Sequence, residues 1–342
     1  MTAIRKALQI LGESRSLPEG MMRSVMNQIM DGDATPSQIG AYLMASKILG
    51  DSVQSICEAA EVMRERAVKV SVTGEFQVDT CGTGGDGIGI FNVSTGAAIV
   101  AASVGCCVAK HGNRSVSSTT GSADVLETAG VNLNLTAPQV EQCISQCNIG
   151  FLFAPAHHSA TKYAVTPRKE IGLRTFFNLL GPLTNPANVL NQIMGVFSKD
   201  WLNTTAEVLK KLGANHVMVV HSEDGMDEIS LAAPTNVSEL KNGEIINYSI
   251  RPEDFGVKTQ SIDGLIVENA EQSLNLIQQA FSGQKGVAAD ILALNAGAAI
   301  YVSGKAESII KGVQMAYDSL HNGKAQDTFQ QLIQITQAFA ND

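Results

Sequence analysis

The chain has 342 residues, long for one hydrophobic core and short for three, so two domains are expected. Hydrophobic residues make up 44% and charged residues 17%, as in a globular protein, and a formal net charge of −9 argues against nucleic acid or an anionic membrane as partner. No run reaches the roughly 18 apolar residues of a membrane span, and no secretory pattern occurs, so a cytoplasmic protein is expected.

In chain order, the opening MTAIRKALQILGESRS spaces its charges through an amphipathic helix pattern. Ser16 and Pro18 open a helix with Met22, Val25, Met26, Ile29 and Met30 on one face, ending near Gly32. Thr35-Pro36 starts another helix that carries Ile39, Leu43 and Ile48 before Gly50, and a third runs from about Ser52 to Arg66. Residues 1–72 therefore read as a small all-helical domain.

After Gly74 the pattern changes, and residues 73–342 read as a large α/β domain with a mostly parallel central sheet. Strands are expected at Phe76–Asp79, Cys106–Ala109, Val131–Leu135, Ile149–Phe153, Ile193–Phe197 and His216–His221. Helices are expected from Ser94 or Thr95, through Ala123–Leu126, from Pro138 to Cys147 and from Trp201 to Leu212. Lys241-Asn242-Gly243-Glu244 reads as a hairpin turn, and two long helices close the chain.

Six cysteines, at positions 57, 81, 106, 107, 143 and 147, form no metal or disulfide framework. Cys143 and Cys147 share a helix face but lack a second Cys/His pair, and adjacent His157 and His158 lack a third ligand with suitable spacing. His157 and His158 read as lining a pocket entrance or as structural.

Chemistry is concentrated in four segments. Asp79-Thr-Cys-Gly82-Thr-Gly84-Gly85-Asp86-Gly87 joins a strand to a helix, where glycines let backbone N–H groups approach an anion. Gly82, Gly84 and Gly87 match G-x-G-x-x-G, yet a dinucleotide site needs an acidic residue after the next strand, and that strand ends in Lys110-His111. No Walker loop occurs. Asn92-Val93-Ser94-Thr95 offers an amide and two hydroxyls at a helix start, and Lys110–Ser118 adds two cations and three serines after the next strand. Both loops should emerge at the carboxyl edge of one sheet, the ligand-binding edge of open α/β folds. Asp227-Glu228 supplies adjacent carboxylates, suited to magnesium, which favours one or two carboxylates plus phosphate oxygens.

Taken together, DTCGTGGDG, FNVST, KHGNRSVSSTTGSADVLE, APAHH, RTFFNLLGPLTNP and DGMDEIS stand in the order and spacing of the anthranilate phosphoribosyltransferases, which this sequence resembles from its N-terminus to at least Ser230. The resemblance implies the nucleoside-phosphorylase-like fold, a hinge between domains, a return of residues 166–186 to the helical domain, and a homodimer formed through the helical domains. It further implies that the phosphoribosyl group of 5-phosphoribosyl 1-pyrophosphate passes to the amine of anthranilate in tryptophan biosynthesis, with two magnesium ions per monomer.

Residue by residue, the resemblance puts Gly82 against both substrates and Gly85-Asp86 around the pyrophosphate. Asn92, Val93, Ser94 and Thr95 would hold the phosphoribosyl substrate, with Ser94 also on magnesium. Lys110, His111, Gly112, Asn113, Arg114, Ser115, Val116, Ser117 and Ser118 would close over its phosphates, and Ser122 would complete that site. Asn113, Arg168 and His158 would face anthranilate, and Asp227 and Glu228 would hold the metal. Three positions depart from the family's pattern: Ile90 for a threonine or serine on the phosphoribosyl substrate, Thr119-Thr120 for a commoner Lys-Ser pair, and Ser159 for proline.

An aromatic amine is neutral and nucleophilic at pH 7, so such a reaction calls for positioning and charge stabilisation more than for a strong base. The rival readings are a nucleoside phosphorylase and a non-catalytic relative that binds nucleic acid. Against the second stand 24 basic and 33 acidic residues.

Overall fold

A computed structural model describes residues 1–115 and 119–340. Four helices open it: α1 (Ala3–Gly12), α2 (Met21–Asp31), α3 (Pro36–Leu49) and α4 (Val53–Arg66). Their limits follow local chemistry. Thr35 and Gln38 form a capping box at α3, the Ser52 side chain accepts the Ser55 N–H at α4, and Gly32 ends α2 at φ 81°. The N-terminus of α2 is capped from a distance. Buried Glu58 on α4 accepts the N–H groups of Gly20 (2.8 Å) and Arg23 (3.1 Å), so its charge meets the positive end of the helix. Met22, Val25, Met26, Ile29 and Met30 are all buried, as their spacing requires.

The remainder alternates strand and helix: β1 (Gln77–Thr80), α5 (Val93–Ser103), β2 (Cys107–Gly112), α6 (Ser122–Thr128), α7 (Ala137–Cys147), β3 (Ile149–Phe153), α8 (Ala154–His157), α9 (Lys162–Ile171) and α10 (Phe177–Leu183). Then come β4 (Asn191–Gly195), α11 (Leu202–Lys211), β5 (His216–Ser222), the hairpin β6 (Thr235–Lys241) and β7 (Glu244–Ile250), and helices α12 (Ala270–Phe281), α13 (Val287–Val302), α14 (Ile309–His321) and α15 (Lys324–Ala338). The sheet order is β3-β2-β1-β4-β5-β6-β7, parallel through β5 and antiparallel beyond it. Asn242 and Gly243, both at positive φ, make the hairpin turn. From β1 the chain winds outward to β3, then returns to β4 on the other side of β1. That reversal opens a crevice at the carboxyl ends of β1 and β4.

Two segments differ from the sequence reading. Val131–Leu135 is not a strand: its alternating VNLNL lies outside the sheet, and the Asn132 N–H bonds Thr336 Oγ1 on α15 (3.2 Å). The chain also ends in four helices, not two. Positive-φ glycines at 283, 304 and 323 interrupt what would otherwise be continuous apolar periodicity.

The packing explains the return of the chain. Ala164 on α9, Phe176, and Phe177, Leu180 and Leu183 on α10 join the apolar cluster of α1–α4, which continues onto α11 and one face of β4 and β5. The other face packs against α5 and α13, which are dense in small residues. A side chain at Gly96 would strike Leu292, and one at Gly312 would strike the backbone of Gly297, so α13 lies unusually close to both α5 and α14.

Candidate active site

The glycine-rich turn leaves β1 and folds around Asp227. Thr83 N–H bonds Gly195 O (2.9 Å), which holds the turn against the end of β4, and Gly84 N–H donates to Asp227 Oδ2 at 2.7 Å. A Cβ at Gly82 would lie 2.7 Å from the same oxygen, so glycine is required there by close approach. Gly195 is required too, because a methyl group would run into the main-chain carbonyl of Asp227. Gly84, Gly85, Gly87 and Gly89 take positive φ, which gives the turn its tight path.

Asp227 is buried and Glu228 half-buried, with little positive charge around them. Burial pushes the Glu228 carboxyl well above its usual range, and repulsion from Asp227 adds to this. The pKa of Asp227 is raised by burial and by Asp86, and that of Asp86 by burial. Lys110 and Arg174 offset only part of that charge. Such a cluster has the character of a cation site. Ser94 and Glu228 line one small cavity, together with Thr80, Gly82, Gly195 and Asn295. Thr95, next along the first turn of α5, is 2% exposed and its Oγ1 has no hydrogen-bond partner among the described residues. A buried hydroxyl without a partner at a helix N-terminus is suited to an anion.

Beneath the cavity lies a hub absent from the sequence reading. Asp79 is fully buried; its Oδ1 accepts the His111 N–H (3.1 Å), and its Oδ2 accepts from Asn185 (2.8 Å) and Gln192 (3.3 Å). Burial raises its pKa to about 6, against the pull of Lys110 and these bonds. Lys110 is buried as well, its ammonium donating to Thr80 O at 2.5 Å.

The histidines separate by role. His157 Nδ1 bonds Val68 O (2.9 Å) and ties α8 to the segment after α4, a structural contact. His158 instead faces His111, with ring centroids 5.3 Å apart. His111 Nδ1 bonds Gly181 O (3.1 Å), His158 bonds the backbone of Thr184, and both Nε2 atoms are buried without partners among the described residues. Burial holds the pKa of His111 well below normal and that of His158 down to about 4, so both rings are neutral at pH 7. Arg168 packs its guanidinium over Phe177 at 5.3 Å, and burial lowers its pKa, with no acidic partner among the described residues acting on it. Phe177 and Gly181 are four residues apart on α10, hence on one face, so Arg168 and His111 border the same side of that helix.

The other predicted residues are distributed as follows. Asn92 Oδ1 accepts from Ser273 Oγ (2.7 Å) and its Nδ2 donates to Thr120 O (3.3 Å), which links the start of α5 to the end of the next loop. Asn113 is exposed, Ser122 Oγ bonds Asn113 O (3.3 Å), and Gly112 leaves space for Ser122. Arg114 turns toward α6 and pairs with Glu127 (2.7 Å) and Asp124 (3.2 Å). The Ser115 N–H bonds Asp124 Oδ2 (3.0 Å), and Val93, the first residue of α5, is buried. Val116, Ser117 and Ser118 lie outside the described residues. Ile90 bridges Ile266 through the backbone.

Comparison with known proteins agrees with this arrangement. The glycosyl transferase family α/β domain matches residues 74–326, and the helical bundle domain of the same family matches residues 5–67. Anthranilate phosphoribosyltransferases of Marinomonas sp. and Cellvibrio japonicus are 55% and 54% identical to the chain, each over 98% of both sequences. The chain belongs to the anthranilate phosphoribosyltransferase family. The Thermus thermophilus anthranilate phosphoribosyltransferase crystal structure superposes with a TM-score of 0.92 at 39% identity, covering 98% of this chain and all of that one. The anthranilate phosphoribosyltransferase of Saccharomyces cerevisiae, solved in complex with PRPP and Mg, shares the fold at a TM-score of 0.90 and 23% identity, over 98% of each chain.

Proposed function

We propose that the crevice at the carboxyl ends of β1 and β4 holds both substrates side by side. The chain transfers the phosphoribosyl group of 5-phosphoribosyl 1-pyrophosphate to the amine of anthranilate, releasing pyrophosphate, in tryptophan biosynthesis. The observation that carries the residue assignment is the poorly compensated Asp227-Glu228 pair, Asp227 buried and Glu228 half-buried, set against a glycine turn and the N-terminus of α5.

In this reading Gly82, Gly85, Asp86 and the 92–95 turn receive the phosphoribosyl substrate, with the orphan Thr95 hydroxyl and the α5 N-terminus turned to its phosphates. Lys110 contributes charge from beneath, and residues 110–115 and Ser122 border the far side. Among the described residues no three metal-binding side chains converge, which suits magnesium: two carboxylates suffice when phosphates and water supply the rest. Asp227 and Glu228 would hold it, with Ser94 alongside, and two ions per monomer match the adjacent acids. When bound, the metal neutralises the charge of the departing pyrophosphate.

Anthranilate lies toward α10. Arg168, desolvated and without an acidic partner, receives its carboxylate, and Asn113 borders the same pocket. In His111 and His158 the Nδ1 proton is directed to a carbonyl, so each Nε2 presents a lone pair that can accept an N–H of the amine. Both rings hold and orient that amine, and the amine supplies its own electron pair to the anomeric carbon.

Exposed Ile48 and Leu49 on α3, and Val165 on α9 with Leu173 beyond it, support a homodimer formed through the helical part, residues 1–72 with 166–186. No described helix is long and apolar enough to cross a membrane, and all six cysteines are free and buried, which suits a reducing cytoplasm.

The test uses the double variant Asp227→Asn, Glu228→Gln with anthranilate, 5-phosphoribosyl 1-pyrophosphate and Mg2+. Anthranilate fluorescence, which falls with turnover in the parent, should stay constant. Near-parental turnover would refute the metal assignment.

A further inference from the structure

Asn295 is a polar residue in the middle of the apolar helix α13, where asparagine is a poor helix former and burial of its amide is costly unless every bond is made. Every bond is made. Its Oδ1 accepts the Ile229 N–H at 3.0 Å, and its Nδ2 donates to Ile229 O at 2.9 Å and to Ile291 O at 3.0 Å. The side chain is 2% exposed and borders the same cavity as Glu228. The carboxamide therefore grips both polar groups of the residue that follows the acid pair, as a neighbouring β-strand would.

The same helix reaches the other half of the site. Leu292, three residues earlier, packs against Gly96 so closely that a Cβ there would lie 2.7 Å from its Cδ2. Gly96 belongs to the first turn of α5, just after Ser94 and Thr95. On the opposite side, the Asp227 carbonyl rests on Gly195 and its carboxylate on the Gly84 N–H. Hence one rigid helix touches the α5 terminus through Leu292 and the acid loop through Asn295.

We infer that Asn295 is a positioning residue for the metal: its two-sided bond to Ile229 fixes the Asp227-Glu228 carboxylates relative to the α5 N-terminus. This rests on the reading of Asp227 and Glu228 as metal ligands. Ile229 is 1% exposed, so removing the carboxamide deprives both of its buried backbone groups of their partner.

The experiment titrates full-length protein with Mn2+ in the presence of 5-phosphoribosyl 1-pyrophosphate, reading free Mn2+ by electron paramagnetic resonance, alongside steady-state kinetics. Asn295→Leu keeps the branched shape, though not the volume, and removes both bonds. Asn295→Ser removes them with less demand on packing and carries the test if the leucine variant does not fold. The expected result is a rise of about 10- to 100-fold in half-saturating Mn2+, the usual effect of losing a group that orients metal ligands. The KM for anthranilate should stay within about twofold, a split that general loosening of the fold would not give. A folded variant with parental Mn2+ titration overturns the proposal, as does an equal loss for Mn2+ and anthranilate. The Asp227→Asn, Glu228→Gln variant separates the two readings. If it titrates like the parent, the ligand assignment fails and this proposal with it. If it loses binding while both Asn295 variants keep theirs, the positioning role alone fails.

Discussion

The carboxylate of Asp79, at the centre of the sheet, accepts a hydrogen bond from Asn185 Nδ2 at 2.8 Å, across 106 residues of sequence. Asn185 also donates to Ala109 O (2.8 Å), and its neighbour Thr184 receives His158, so the segment after α10 is tied to β1, β2 and the pocket together. Asp79→Asn would turn an amide toward one of the three donors the carboxylate now satisfies. It should cost about 1.5–3 kcal/mol in urea unfolding and lower kcat/KM for both substrates, because the His111 backbone is displaced with it. A variant as stable and active as the parent would show that this hub carries neither role.

Arg168→Ala should act on one substrate. A two-pronged guanidinium–carboxylate contact contributes about 1.5–3 kcal/mol, so the KM for anthranilate should rise roughly ten- to a hundredfold. The KM for 5-phosphoribosyl 1-pyrophosphate should move little. Equal changes in both would instead mean that Arg168 matters through its packing on Phe177.

Far from the crevice, Glu239 accepts from His216 (2.7 Å), Tyr248 (2.6 Å) and Tyr301 (2.8 Å). These donors outweigh the opposing effect of burial and hold its carboxyl at about 2. A depressed folded-state pKa stabilises the fold above the unfolded value, near 4.5, and that stability is lost as the pH falls toward 2. Glu239→Gln should therefore be less stable than the parent at pH 7 by about 1–3 kcal/mol. The gap should narrow steadily between pH 5 and pH 3 in chemical denaturation. A gap independent of pH would exclude the carboxylate's charge as its source.

How much of this was legible depended on sequence distance. Gly82 to Gly87, Ser94, Thr95 and the Asp227-Glu228 pair stood out because each is a local cluster with its own chemistry. The capping of α3 and α4 was equally readable. Asp79, Asn185 and Gln192 were not, since their meaning arises only where distant strands meet. Asn295 left one trace, a single amide inside ILALNAGAAIYV, but its partner lies 66 residues away. The resemblance places Arg114 over the phosphates; its pairing with Glu127, one helix later, arises only in the fold. Val131–Leu135 carried a strand's alternation without a neighbouring strand to pair with.

The sheet order has a consequence for how the protein is made. On the ribosome β1 emerges early, yet one of its two partners, β4, begins at residue 191, and the loop that meets the glycine turn ends beyond residue 228. At typical translation rates of roughly 5–20 residues per second, the interval between Asp79 and Asp227 is on the order of ten seconds. During that time the nascent helices α1–α4 also wait, because Phe176, Phe177 and Leu180 complete their apolar cluster. Both halves of the molecule are thus closed by the same late stretch of polypeptide. A chain released before that stretch is synthesised carries an open helical cluster and an unfinished sheet, a form suited to chaperone capture and proteolytic clearance.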